Sequence, residues 1–297
     1  MREQWDTRIG FVLATIGAAV GLGNIWRFSY VAGENGGGVF LVVYVACVAL
    51  IGLPLMIAEL AIGKRAQRNA VASFGDDGRA GAWPAAGWLM VLGAALILSY
   101  YGVIAGWALK YFAGALTGEL WRSAEGGLGV YFNSFIANAF EPILWQAALL
   151  VLAGLIVARG IKSGIEQLNT WLMPALALIV IALALFALTL PGSGRGVAFL
   201  LAPDWSALAR PSVYLAALGQ AFFSLGVGMA VFITYGSYVG AKTAIPGAAL
   251  AIALGDTAFA LVAGLAIFPA VFALGADPSA GPSLAFITFP QVLLAMP

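Results

Sequence analysis

The sequence contains no histidine and a single cysteine, Cys47, and only 9% of its 297 residues are charged. Without histidine there is no imidazole metal site and no His-containing triad, and one cysteine cannot form an intrachain disulfide. Soluble domains carry about a quarter charged residues, so this chain could not cover a water-facing surface. The net charge of +1 offers no basic patch for nucleic acid. The composition therefore excludes a soluble enzyme and a nucleic-acid-binding protein.

Hydrophobic residues make up 62% of the chain and are concentrated in long apolar stretches. A membrane-spanning helix needs about 20 mainly apolar residues. We therefore predict a polytopic α-helical membrane protein with seven spans, over residues 9–30, 38–62, 82–109, 142–158, 168–190, 211–241 and 244–273. An apolar tail over residues 283–296 is too short to span and contains proline, so we expect it to form a helical hairpin on the outer side.

The Lys and Arg residues between the spans predict an orientation. With the N-terminus inside, nine of them lie in inner segments and three in outer segments. Short cytoplasmic loops carry such an excess of basic residues. We therefore expect a multi-pass protein of the cell (plasma or inner) membrane with a cytoplasmic N-terminus.

Two spans carry a glycine cluster near their middle, over residues 17–24 in the first and 222–228 in the sixth. Each glycine costs a helix interior about 1 kcal/mol relative to alanine. Broken backbone at membrane depth is tolerated only where it lines a cavity or is buried in protein. One cluster alone is equally well explained by close helix packing, since Gly17 and Gly21 form a small-residue pair four apart.

The pairing of the two clusters favours a binding site. Spans one and six cross in opposite directions, and matched interrupted helices in inverted repeats are the sequence pointer to a transporter site. Unwinding frees carbonyls for a cation and turns half-helix N-termini toward an anion. One site could therefore hold Na⁺ and a substrate carboxylate together.

Asp256 is a lone acid within the seventh predicted span. A charged side chain at mid-membrane costs at least about 2.5 kcal/mol on insertion scales and indicates a functional role. The alternative interpretation is a polar bridge to the first span.

Seven motifs follow one another along the chain: WDTRIGF (5–11), GLGNIWRF (21–28), ENGGGVF (34–40), GLPL (52–55) with Glu59, RGIKSGIE (159–166), GQAFFSL (219–225) and TYGSY (234–238). Together they resemble the sodium:neurotransmitter symporter family, whose members have the LeuT fold. The resemblance implies an all-α inverted-repeat fold, with a first repeat over about residues 9–190 and a second over about 211–297. Family members commonly have twelve helices, so we expect a bacterial-type amino-acid member truncated after the seventh helix, with an incomplete second repeat.

The resemblance also implies two sodium sites. The first would use the Ala19 carbonyl, the Asn24 side-chain oxygen and Ser224. The second would use the carbonyls of Gly17 and Val20, and its other ligands would lie in an eighth helix absent from this chain. Asp256 would neutralise the first sodium ion, which implies chloride-independent transport. No organic cofactor is expected.

The substrate carboxylate would meet the Leu22 and Gly23 amides and the Tyr101 hydroxyl. Amine transporters of the family carry an acid where this chain has Gly21, so the resemblance favours an amino acid that brings its own carboxylate. A medium or large apolar side chain, including aromatic ones, would lie against Ile97, Phe222, Phe223, Gly226 and Met229.

Gating residues are also implied. On the outer side, Arg27 resembles the family's gate arginine and Phe223 its lid. On the inner side, Arg2, Trp5 and Tyr238 resemble the network that closes the cytoplasmic path. Glu59 is expected to bond the unwound part of the sixth helix.

The predicted function is a sodium-coupled amino-acid symporter that works by alternating access in the lipid bilayer. The alternative is a membrane module that binds or senses amino acids without transporting them, or an inactive fragment of such a transporter. An intramembrane enzyme is disfavoured because the chain lacks histidine and paired mid-membrane carboxylates. The oligomeric state stays open.

Overall fold

The computed structural model describes residues 4–75, 81–123, 126–240, 243–279, 281 and 284–294, and its regular elements over these residues are all helical. The all-α prediction is therefore confirmed. The helices are α1 (Arg8–Ala19), α2 (Gly23–Glu34), α3 (Gly38–Ala66), α4 (Ala70–Ser73), α5 (Pro84–Thr117), α6 (Glu119–Ser123), α7 (Leu128–Ala137), α8 (Glu141–Ala158), α9 (Ile161–Thr189), α10 (Ser193–Leu201), α11 (Pro211–Leu225), α12 (Val231–Gly236), α13 (Ile245–Ala273) and α14 (Leu284–Leu294). A 3₁₀ turn, Trp205–Ala209, precedes α11.

The membrane spans of the described residues are five by length and apolar composition, namely α3, α5, α8, α9 and α13. The number rises to six when α1 and α2, which meet at a 55° bend, count as one span. The predicted sixth span does not pass the same test because a break divides it into α11, of 15 residues, and α12, of 6 residues. Neither half alone reaches the roughly 20 residues that a span needs.

Two predicted boundaries are wrong. Helix α9 begins with a π-helical turn at Ile161 instead of at residue 168. Helix α5 continues to Thr117, past the predicted end at 109. The prediction ended the span at Lys110, but this ammonium lies 2.8 Å from Glu119 and 3.0 Å from Glu141, so its charge is neutralised within the protein.

The Lys110 cluster links three helices around one buried ammonium. Helix α5 supplies Lys110, α6 supplies Glu119 and α8 supplies Glu141. The hydrogen bond from Lys110 lowers the pKa of the Glu119 carboxyl below its ordinary value. The pairing fixes the outer end of α5, and α5 carries two of the predicted pocket residues.

The core surrounds the broken helices on the side of α3 and α13. Phe28, Phe40, Tyr44 and Phe268 are fully buried there, and the rings of Phe28 and Tyr44 meet edge to face at 5.4 Å. Both α11 and α12 pack against α3, while α13 packs against α1, α3, α9 and α10. Both halves of the sixth predicted span are therefore held against the same helix, α3.

The described part of the tail is one helix, α14, and the predicted hairpin over 283–296 is wrong for these residues. Pro290 lies where the π-helical turn Leu284–Thr288 passes into the α-helical part, Phe289–Leu294. Phe286 inserts among Trp107, Tyr111 and Phe132, which fixes α14 to α5 and α7.

Candidate substrate and sodium site

The two glycine clusters are breaks in the helices. Helix α1 ends at Ala19, Val20 is extended (φ −73°, ψ 123°), and α2 begins three residues later. Helix α11 ends at Leu225, and the chain then takes positive φ at Gly226 (76°), Gly228 (81°) and Ala230 (61°) before α12. Both predicted interruptions are therefore present.

A cavity of about 320 Å³ lies between the breaks. Its size falls at the lower end of the range for small-molecule sites, about 300–1,000 Å³. The lining residues are Gly17, Ala18, Ala19, Val20, Gly21, Gly23 and Asn24 from the first break, Phe223, Ser224, Gly226, Met229 and Val231 from the second, and Ile97 and Tyr101 from α5. Ala18 and Val231 were not among the predicted residues, although both lie beside the glycine clusters that marked the breaks.

The side chains of Phe222 and Leu22 do not line the cavity. Phe222 packs against the buried core instead. The next two residues of α11, Phe223 and Ser224, both line the cavity, and at about 100° per residue Phe222 then lies on the opposite side of the helix. Placing Phe222 in the pocket wall is therefore wrong for this structure. The prediction for Leu22 concerned its peptide N–H and not its side chain.

Asp256 is the polar centre beneath the cavity and is fully buried. Its Oδ1 accepts a hydrogen bond from Asn24 Nδ2 at 2.7 Å, and its Oδ2 accepts one from Ser224 Oγ at 2.7 Å. Asn24 Nδ2 also donates to Ser224 Oγ at 3.0 Å. Three elements, α2, α11 and α13, therefore meet at one carboxylate whose two hydrogen-bonding side chains are uncharged. The polar bridge to the first predicted span is present at the same atoms.

The Tyr44 hydroxyl of α3 is a group that the sequence analysis missed. It lies beside Asp256 and is buried without a hydrogen bond of good geometry. No sequence motif marks it, because Tyr44 reads as an ordinary aromatic within an apolar span.

Carbonyl oxygens at the end of α1 are the next group of oxygen atoms that could act as ligands to a cation. The last four carbonyls of a helix have no partner within it, and the helix dipole places partial negative charge there. In α1 the Ile16 carbonyl accepts the Val20 N–H at 2.6 Å, and the other three carbonyls belong to Gly17, Ala18 and Ala19, which line the cavity. The described residues contain no group of three or more His, Cys, Asp or Glu side chains that could hold a metal ion. Carbonyl, amide and hydroxyl oxygens with a single carboxylate are a donor set for a hard ion of low charge.

The opposite polarity is found where α2 begins. The peptide N–H groups of Leu22 and Gly23 face the Tyr101 hydroxyl oxygen. A β-carbon added at Gly21 would lie 2.9 Å from that oxygen, so the approach requires a residue without a side chain. A helix N-terminus favours negative charge. The two ends of the first break thus bring partial negative charge, from the end of α1, and partial positive charge, from the start of α2, to the same cavity.

The predicted outer-gate residues lie together above the cavity. The Arg27 guanidinium lies 4.4 Å from the centre of the Phe223 ring and hydrogen-bonds the Gln220 side-chain oxygen. Phe223 meets Tyr101 edge to face at 6.2 Å. The sequence analysis assigns no role to Gln220 beyond its place in the 219–225 motif, and the structure shows that it is the partner of Arg27.

On the inner side, Trp5 and Tyr238 come together and Tyr235 joins them. The indole Nε1 of Trp5 donates to the Tyr235 carbonyl at 3.1 Å, and the backbone N–H of Trp5 donates to the Tyr238 carbonyl at 3.2 Å. Arg2 lies outside the described residues. Glu59 makes the predicted bond, since its Oε1 accepts from the Gly228 N–H at 2.6 Å within the second break.

The fold and the cavity define a class: α-helical membrane transporters of the LeuT fold, with two broken helices around a central site. The model of the sodium:neurotransmitter symporter family matches residues 2–134 and 136–297. The chain belongs to the sodium:neurotransmitter symporter family, which confirms the resemblance and shows that this is a transporter family and not an enzyme family.

Curated relatives agree. The chain is 43% identical over 294 residues to an uncharacterized sodium-dependent transporter, YhdH, of Bacillus subtilis, and 35% identical over 301 residues to an uncharacterized sodium-dependent transporter of Haemophilus influenzae. These alignments cover 99% and 98% of this chain but 65% and 66% of the relatives. The chain thus spans slightly less than two thirds of their length.

A solved structure is also similar. The crystal structure of MhsT in complex with L-phenylalanine matches with a TM-score of 0.94 and 54% sequence identity. The match covers 100% of this chain and 67% of MhsT. This likeness confirms the predicted fold class.

Proposed function

We propose that this chain carries the central site of a sodium-coupled amino-acid symporter that works by alternating access. The observation that carries the proposal is the buried Asp256 carboxylate, whose hydrogen-bonding partners Asn24 and Ser224 are uncharged. A single negative charge at membrane depth is costly unless it is compensated. One monovalent cation beside it makes the site neutral, and the sodium-dependent relatives identify sodium as the cation to test first.

The first sodium ion is assigned to the Ala19 carbonyl, the Asn24 side-chain oxygen and Ser224, with Asp256 supplying the charge. Asn24 Oδ1 already accepts the Gly21 N–H at 3.1 Å and retains a second lone pair. A second sodium ion is assigned to the carbonyls of Gly17 and Val20. Its remaining ligands belong to the part of the relatives that this chain does not match.

The proposed substrate is an amino acid with a medium or large apolar side chain, including aromatic ones. Its carboxylate would take the place at the Leu22 and Gly23 amides, next to Tyr101. Ile97, Met229 and Val231 give the rest of the cavity an apolar wall. The volume of about 320 Å³ and the L-phenylalanine bound by MhsT support this size class.

Transport is proposed to be independent of chloride. The site already contains a fixed negative charge at Asp256, so it needs no second anion to balance one sodium ion. The two repeats are assigned to about residues 9–190 and 211–297, in a cell membrane, with the N-terminus in the cytoplasm.

A second candidate function is binding of the same amino acids without transport. The observation that favours it is the site itself, because the cavity and the buried Asp256 cluster account for binding without any movement of the helices. Both candidates require the same site, so one experiment in two stages separates them.

The first stage measures binding of radiolabelled L-phenylalanine to the purified chain in sodium chloride, sodium gluconate and choline chloride. We expect equal binding in both sodium salts and none in choline chloride. Unlabelled Leu, Phe and Trp should compete far better than Gly or Ala. Preferred binding of Gly or Ala contradicts the substrate class, and a strict need for chloride contradicts chloride independence.

The second stage reconstitutes the same protein in liposomes and measures sodium-driven uptake. Uptake above the level of empty liposomes supports the symporter. Sodium-dependent binding without uptake supports the binding module. Absence of sodium-dependent binding in the first stage overturns both.

A further inference from the structure

Glu166 is a buried carboxylate that the proposed transport site does not use. It is the last residue of the π-helical turn that opens α9 and is only 6% exposed. Its Oε2 accepts a hydrogen bond from the Asp6 N–H at 2.8 Å, and its Oε1 accepts one from the Thr7 N–H at 3.2 Å. These donors lie 160 and 159 residues away along the chain. Glu166 thus binds the segment that leads into α1.

The contact completes the N-terminal cap of α1. Thr7 is the capping residue, and its Oγ1 accepts the Gly10 N–H at 2.8 Å. The same hydroxyl donates to Glu166 Oε1 at 3.4 Å. A β-carbon at Gly10 would overlap the Glu166 carboxyl group, so the glycine lets α9 approach α1. A carboxylate at this position also interacts favourably with the helix dipole.

The inner end of α1 is therefore held from two sides. Toward α12, Trp5 bonds the carbonyls of Tyr235 and Tyr238 through neutral groups. Toward α9, the bonds to Glu166 involve a carboxylate, and hydrogen bonds to an ionised group are about twice as strong as neutral ones. The other end of α1 stops at the break, where a 55° bend separates it from α2. Helix α1 is consequently a half-helix that these bonds hold at its inner end and the break delimits at the other.

We infer that Glu166 is a positioning residue that latches α1 against α9 and keeps the cytoplasmic side of the cavity closed. The inference rests on the proposed function, because closure matters only if the cavity opens toward the cytoplasm. Residues 17–20 at the end of α1 line the cavity. Movement of α1 away from α9 would therefore open the cavity from below.

A neighbouring ion pair provides a matched control. Lys162 Nζ lies 2.6 Å from Asp6 Oδ1, with side chains that are 56% and 53% exposed. Exposed pairs of this kind contribute little to stability. Asp6→Asn removes that pair and leaves the Asp6 N–H bond to Glu166 in place, so it separates the latch from the surface charge beside it.

The experiment measures how fast a buried position on α1 becomes accessible. In a Cys47→Ala background, Ala14→Cys reports on α1 and Ala260→Cys reports on α13, since both alanines are fully buried. Each reporter is combined with Glu166→Ala, Glu166→Gln or Asp6→Asn. Labelling by a membrane-impermeant maleimide is followed without sodium, and thermal melting identifies the variants that fold.

With Glu166→Ala we expect Ala14→Cys to be labelled at least about tenfold faster, because the hydrogen bonds from the Asp6 N–H, the Thr7 N–H and the Thr7 hydroxyl are lost. Glu166→Gln keeps an acceptor oxygen and should lie in between. Asp6→Asn should stay within about twofold of the parent. Labelling of Ala260→Cys should not change in any variant.

Two results overturn the latch. One is equal labelling of Ala14→Cys with and without Glu166. The other is equal acceleration at Ala14→Cys and Ala260→Cys, which indicates general loosening from a structural cap. If Glu166→Ala does not fold, Glu166→Gln decides by the same criteria. Sodium-dependent L-phenylalanine binding to the parent is measured separately, so its absence overturns the proposed function and not the latch.

Discussion

The two helix breaks differ in what their freed peptide groups bind. At the first break, residues at the end of α1 line the cavity, and the first amides of α2 lie beside Tyr101. At the second break, the Gly226 N–H donates to the Phe222 carbonyl and the Gly228 N–H donates to Glu59. The first break is closed locally, since the Gly21 N–H donates to Asn24 Oδ1 three residues on. The second break is instead braced by Glu59 of α3, a distant element.

The two breaks also differ in their backbone conformation. The second break uses three residues with positive φ, and one of them, Ala230, is not glycine. The described residues with positive φ include none from 17 to 24. A left-handed conformation costs a residue with a β-carbon roughly 1–2 kcal/mol. Of the two breaks, only the second therefore contains a residue with a β-carbon in the left-handed conformation.

Asp256 is the group that both breaks share, so its removal should have the largest effect. Asp256→Asn keeps the shape but removes the charge that compensates a bound cation. Loss of one partner of a buried ion pair costs about 3–5 kcal/mol, so we expect sodium affinity to fall at least about 100-fold. The sodium affinity is obtained by measuring L-phenylalanine binding over a series of sodium concentrations. Asp277→Asn, at an exposed turn, is the control and should bind sodium normally. Unchanged sodium affinity in Asp256→Asn would remove the charge argument for the site.

Glu59 tests whether the second break depends on its brace. Glu59→Ala leaves the Gly228 N–H without its acceptor, which should lower the free energy of unfolding by about 2 kcal/mol. Glu59→Gln retains an acceptor oxygen and should recover most of the loss. Thermal or denaturant unfolding of both variants in one detergent gives the comparison. Equal stability of Glu59→Ala and the parent would show that the second break holds its shape unaided.

Tyr101 tests the anion-binding side of the first break. Tyr101→Phe removes the hydroxyl proposed to lie next to the substrate carboxylate, and loss of one hydrogen bond to a ligand costs about 1 kcal/mol. We expect L-phenylalanine affinity to fall roughly five- to tenfold. Stability should be unchanged. Ser99→Ala, an exposed position on the same helix, is the control. A selective fall in stability, with unchanged affinity, would make Tyr101 a packing residue.

The sequence predicted the fold and the breaks because long apolar stretches and glycine clusters are both recognisable in short segments of the chain. It predicted Asp256 because a lone acid in an apolar span is conspicuous. It could not predict that Phe222 turns to the core, since the phase of a helix depends on its neighbours. The same limit applies to Lys110, which looked like the end of a span until its two carboxylate partners were placed beside it.

Ala230 has a positive φ although it is not glycine, so no glycine in the sequence marks this part of the second break. Its substitution gives the smallest predicted effect. Its φ of 61° is unfavourable for alanine, so Ala230→Gly should raise the free energy of unfolding by up to about 1 kcal/mol. The same substitution at Ala216, inside α11, should instead lower it by about 1 kcal/mol. Chemical denaturation of the two variants beside the parent measures both. Opposite signs would assign the strain to the second break, whereas destabilisation at both positions would mean that Ala230 holds its conformation without strain.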